Sequence, residues 1–135
     1  ILIKDNHLGT LKQEFKEDYI EAAIARASAF SNKVDFIEIE VTSTEDALQA
    51  ARSFNGLIFK IPCVIMLDNM VPSMIDEALE TLRKNNLYAF ALLEASGAIT
   101  PDNIQEYAKT GVDVISLGYL THSVHALDMS LEMTL

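Results

Sequence analysis

The chain has 135 residues, half of them hydrophobic and 22% charged, with a net charge of −10. That length predicts one domain with a sizeable core; the composition excludes disorder, and the acidity disfavours a nucleic-acid partner, whose phosphates need basic patches. No apolar run approaches the ~18–20 residues of a membrane span, no signal-peptide pattern is present, and the single Cys63 cannot form an internal disulfide, so a cytoplasmic setting is expected.

Residues 1–4, ILIK, are apolar and β-branched and read as the end of a strand already in progress, as if the chain began inside a longer protein. The DNHLGT that follows has turn chemistry. Over 14–31, Phe15, Tyr19, Ile20, Ala23, Ile24, Ala27 and Phe30 recur at helical spacing. VDFIEIEV (34–41) alternates as a second strand, and Thr44 is expected to cap a helix that Asn55-Gly56 ends. LIFKIP (57–62) fits no element and leads into a third strand, CVIML (63–67). Pro72 opens the next helix. YAFALLE (88–94) is the fourth strand, Thr100 and Pro101 start a helix that Gly111 ends, and VDVISL (112–117) is the fifth strand. The tail ALDMSLEM (126–133) reads as a short strand or a helical turn.

Strands alternating with helices predict parallel βαβ units. The absence of a G-x-G-x-x-G fingerprint disfavours a dinucleotide-binding domain. The expected fold is α/β: part of a parallel, TIM-like barrel, incomplete, with five or six strands.

Chemistry is sought where the strands end, because barrel sites form at the carboxyl ends. Those ends read Lys4-Asp5-Asn6-His7, Glu38 with Glu40, Asp68-Asn69, Glu94-Ala95-Ser96-Gly97 and Ser116-Leu117-Gly118. A polar strand end needs no ligand to explain it, since strands exit into water; five in succession are harder to dismiss. Asp68 is the sharpest, because a carboxylate after VIML must be paired, hydrated or on a cation. Ser96, Gly97 and Ala98, and then Gly118, put small residues where backbone could approach a phosphate. His122 and His125 are three apart and could share a helical face as metal ligands, but packing or capping is the simpler reading. His7 could contact an anion or hold its turn; Cys63 reads as structural, and Met66, Met70 and Met74 as core filler.

ILIKDNH, IEIEV, IMLDNM, LEASGAIT and GVDVISLGYLTHSVHALDMSL, in that order, resemble the C-terminal barrel portion of quinolinate phosphoribosyltransferase, from Ile1 to the last few residues. The resemblance implies transfer of phosphoribose from phosphoribosyl pyrophosphate to quinolinate with decarboxylation, giving nicotinate mononucleotide, pyrophosphate and CO2 in de novo NAD synthesis, with Mg²⁺. It implies that Lys4 contacts the substrate anions. Glu40 and Asp68 would be the catalytic carboxylates facing ribose and the magnesium-bound pyrophosphate. Ser96, Gly97, Ala98 and Gly118 would cradle the 5′-phosphate. It also implies an oligomer, a dimer or larger, or association with a missing half, because the family places an N-terminal domain and the first barrel strands ahead of KDNH.

Two features depart from the family. Ala98 stands where the family has a second glycine, so a positive φ there would be strained. Residues 53–63 are longer than the family's link into LDN. The substrate-gripping arginines are also missing: Lys4 is the one basic residue expected at a strand end, too little for a dicarboxylate and a pyrophosphate in a chain this acidic. Two alternatives stay open: a related phosphoribosyltransferase-like protein of other specificity, of the kind associated with molybdenum metabolism, and a non-catalytic half-barrel serving as a binding subunit.

Overall fold

The computed structural model describes residues 1–58, 61–123 and 126–133. Five strands form one sheet in the order β1-β2-β3-β4-β5: β1 (Leu2–Ile3), β2 (Ile37–Val41), β3 (Cys63–Asp68), β4 (Leu92–Ser96) and β5 (Val114–Ile115). Every pairing is parallel. A parallel sheet whose spatial order equals its chain order, joined by right-handed crossovers, must carry its helices on one face. That is how a barrel wall is built, whereas a doubly wound sheet reverses its order partway.

The helices are α1 (Asp5–Phe15), α2 (Tyr19–Ser28), α3 (Thr44–Asn55), α4 (Pro72–Lys84), α5 (Ile104–Thr110) and α6 (Tyr119–His122). Consecutive helices from α1 to α5 pack on one another. The core lies between them and the sheet. Ile37, Ile39, Ile65, Leu67 and Leu93 alternate along the strands toward Ile20, Ile24, Ile75 and Leu79, all essentially without solvent exposure. Each such side chain contributes about 1.5–3 kcal/mol of burial. The opposite face has no such cover among the described residues: Leu2, Leu92 and Val114 point there and stay exposed.

Several expectations need correction. DNHLGT is no turn but the start of α1, in which Leu8 and Leu11 are buried. His7 Nδ1 accepts a hydrogen bond from the Lys4 amide at 3.0 Å, so His7 holds the helix start. The single helix expected over 14–31 breaks at Lys16, whose φ of 51° is left-handed, into a 3₁₀ turn and α2. The cap of α3 is Ser43, whose Oγ accepts from the Asp46 amide at 3.1 Å, one residue before Thr44. Tyr88–Phe90 is a 3₁₀ turn, so β4 starts at Leu92. The helix expected from Thr100 begins at Ile104, and β5 is only Val114–Ile115. Met74 is exposed although Met70 is buried. The tail over 126–133 is neither strand nor helical turn. The links through 59 and 60, and the pairing of His122 with His125, lie outside the described residues.

Candidate functional site

The alternation that buries Ile37, Ile39 and Val41 against the helices turns Glu38 and Glu40 to the opposite face. Register extends that face across the sheet. Glu40 lies beside Met66, Met66 beside Glu94, and Asp68 beside Ser96. Lys4 follows Ile3, which pairs with Ile39, and so comes level with Glu40. Its Nζ stands 3.0 Å from Glu40 Oε2. The Glu40 side chain is 11% exposed and that of Lys4 48%, so the acid is largely desolvated and the cation reaches water. The hydrogen bond to Glu40 and its charge raise the Lys4 pKa, with Asp5 and Asp68 adding to the effect. Lys4, Glu40 and Asp68, three residues expected to act together, thus share one electrostatic neighbourhood.

Asp68 is joined to the next strand end through Asn69. The Asn69 Nδ2 donates to Asp68 Oδ2 at 2.6 Å, and its backbone N–H donates to the Ser96 carbonyl at 2.9 Å. Asn69 is left-handed, with φ of 54°, a conformation asparagine tolerates better than most residues. Gly97 and Ala98 are also left-handed, at 88° and 51°, so the strain expected of Ala98 is present. Asn103 ties this loop to the start of α5: its Oδ1 accepts from the Thr100 amide at 2.8 Å, and its Nδ2 donates to the Ala98 carbonyl at 3.1 Å.

A cavity of about 450 Å³ opens beside that loop, lined by Ser96, Gly97, Ala98, Thr100, Ser116 and Gly118. The expected phosphate-cradle residues therefore line one space. His122 lines it too. A β-carbon on Gly118 would come within 2.9 Å of His122 Nε2, so the glycine makes room for that ring. Sequence reasoning set His122 aside because only a metal partner was sought for it. It also passed over Asn69, whose role depends on contacts across β3 and β4.

The residues fit a magnesium ion that arrives with a polyphosphate. Glu40 and Asp68 supply two carboxylates, and among the described residues no group of three or more His, Cys, Asp or Glu could hold a metal alone. Mg²⁺ commonly binds by one or two carboxylates plus substrate phosphates and water. No helix among the described residues is long and apolar enough to cross a membrane.

A parallel sheet in chain order, helices on one face and polar groups gathered at the strands' carboxyl ends define a segment of an α/β-barrel protein. Residues 1–132 match the family model of the quinolinate phosphoribosyl transferase C-terminal domain, and the chain belongs to that family. It is 41% identical over 133 residues to a probable nicotinate-nucleotide pyrophosphorylase (carboxylating) of Archaeoglobus fulgidus, covering 98% of this chain and 45% of that protein. It is 39% identical over 132 residues to the protein of the same description from Methanothermobacter thermautotrophicus, covering 98% of this chain and 43% of that one. The crystal structure of NadC from Streptococcus pyogenes superposes with a TM-score of 0.75 at 31% identity, covering 98% of this chain and 40% of that one. The chain thus spans less than half the length of these relatives.

Proposed function

We propose that this chain forms the phosphoribosyl-binding half of a quinolinate phosphoribosyltransferase. The reaction joins quinolinate to phosphoribosyl pyrophosphate, releasing pyrophosphate and CO2 and leaving nicotinate mononucleotide; the relatives' names describe the reverse, carboxylating direction. The supporting observation is the meeting of the Lys4–Glu40 ion pair and Asp68 beside the Ser96–Ala98 loop and Gly118.

In this reading the 5′-phosphate lies against Ser96, Gly97, Ala98 and Gly118. The carboxylates of Glu40 and Asp68 face the ribose, where positive charge develops as pyrophosphate leaves, and fixed negative groups there favour the transition state. Lys4 holds Glu40 in place and meets substrate anions. Glu40 and Asp68 would also hold Mg²⁺, in part through water and substrate; the ion would supply charge neutralisation of the leaving pyrophosphate.

Lys4 is the one basic side chain among the described residues at the carboxyl ends of the strands. The two carboxylates of quinolinate therefore call for cations from elsewhere, in the same polypeptide or a partner. A cavity of about 650 Å³ beside β1 is lined by Ile1, Ile3, Leu11, Ala27 and Phe30 among others. In this reading the active form is an assembly, an oligomer or a union with the remaining barrel strands. It works in the cytoplasm, where Cys63 stays reduced.

Calorimetric titration with phosphoribosyl pyrophosphate and Mg²⁺ tests the reading. Magnesium-dependent binding that Asp68→Asn abolishes is expected; absence of binding in the full native polypeptide or its complex overturns it.

A further inference from the structure

Glu94 and Glu38 take no part in the site described above, yet both are buried acids on its face of the sheet. They sit on β4 and β2, with Val64 and Met66 of β3 between them. Residues from alternate strands form one interior layer in an α/β barrel, and that layer is ordinarily aliphatic. Two carboxyl groups there need a structural reason. Ser116 Oγ donates to Glu94 Oε1. The Ser116 amide donates to the Ala95 carbonyl at 2.9 Å, so both ends of Ser116 are fixed to β4. Ser116 lines the same cavity as Gly97 and Gly118.

We propose that Glu94 is a positioning residue for phosphate binding: its carboxylate, bonded to Ser116 and faced by Glu38, sets where Ser116 and the Gly118 turn stand against the phosphate. This rests on the phosphoribosyltransferase reading. Burial raises the Glu38 pKa first, and the charge of Glu94 and a hydrogen bond to it raise it further. Glu38 and Glu94 thus face each other across β3, and Ser116 supplies the hydroxyl from which Glu94 accepts. A glutamine at 94 would still accept from Ser116.

The test is binding of ribose 5-phosphate by the full native polypeptide, with folding followed by circular dichroism. Glu94→Ala and Ser116→Ala should each weaken binding about five- to tenfold, the worth of a lost hydrogen bond. Glu94→Gln should restore most of that loss. Folded alanine variants that bind like the wild type overturn the proposal, as does a glutamine variant that binds as weakly as the alanine variant. Failure of both alanine variants to fold also overturns it, since the contact would then serve stability. A wild type that binds neither ribose 5-phosphate nor phosphoribosyl pyrophosphate removes the underlying reading; variant results alone leave that reading standing.

Discussion

Asn69 occupies the space that a side chain on Gly97 would need. A β-carbon at Gly97 would lie 2.3 Å from Asn69 Oδ1 and 2.7 Å from its backbone nitrogen. The ends of β3 and β4 can close on each other only because residue 97 has no side chain, and this closure holds Asp68 next to the loop at 96–98.

Gly97→Ala should therefore fail twice, by collision and by its φ of 88°. Left-handed strain and overpacking each cost about 1–3 kcal/mol, so a loss of ~2–4 kcal/mol is expected. Urea denaturation checks it, and a loss under 1 kcal/mol would mean that the loop yields easily.

Ala98→Gly should act in the opposite direction. Ala98 is exposed and left-handed, so no packing is lost and strain is relieved. Left-handed geometry costs an ordinary residue about 1–2 kcal/mol, and glycine's extra chain entropy returns about 0.5–1. A net gain of about 0.5–1 kcal/mol in the same urea experiment is expected; a destabilised variant would contradict the left-handed assignment.

Much of this was legible in the sequence because β2 alternates and β3 is an apolar run closed by an acid. Ile37-Glu38-Ile39-Glu40-Val41 announces its two faces and Cys63 through Asp68 its end, and the positions of Glu40 and Asp68 follow from that. The start of α1 was hidden because Asp5, Asn6 and Gly9 have turn propensities, while burial of Leu8 and Leu11 overrides them. Tyr88–Phe90 looked like strand because aromatic residues favour sheets, but they lie before the point where β3 can pair. The Asn69–Gly97 contact and the Glu38–Glu94–Ser116 cluster join residues at least 22 positions apart in the chain. No local pattern encodes such contacts.

Lys4→Met tests the ion pair. It leaves Glu40 largely buried without a cation. Because Lys4 is exposed, the fold should survive, whereas affinity for pyrophosphate should fall about tenfold or more. Equal affinity in calorimetry would remove Lys4 from the site.

Cys63 should be inert in the native state. It is buried, and burial pushes its thiol up to about 11, so thiolate is scarce at pH 8. Alkylation by iodoacetamide, followed by mass, should be slow in buffer and fast in urea. Rapid native labelling would mean that the entry to β3 opens readily.

Glu38 should make stability depend on pH. Its folded pKa lies above the unfolded value of about 4.3. The folded state therefore holds the proton more tightly, and the contribution of this group is full below about pH 4 and is lost as pH rises through the raised folded value. Glu38→Gln has no proton to lose. Relative to the wild type, the glutamine variant should gain stability between pH 4 and pH 7. Urea midpoints at both pH values read that difference, and titrations shared by the two proteins cancel. Parallel curves would mean that Glu38 is hydrated in solution, and the acid layer beneath the site would then be open to water.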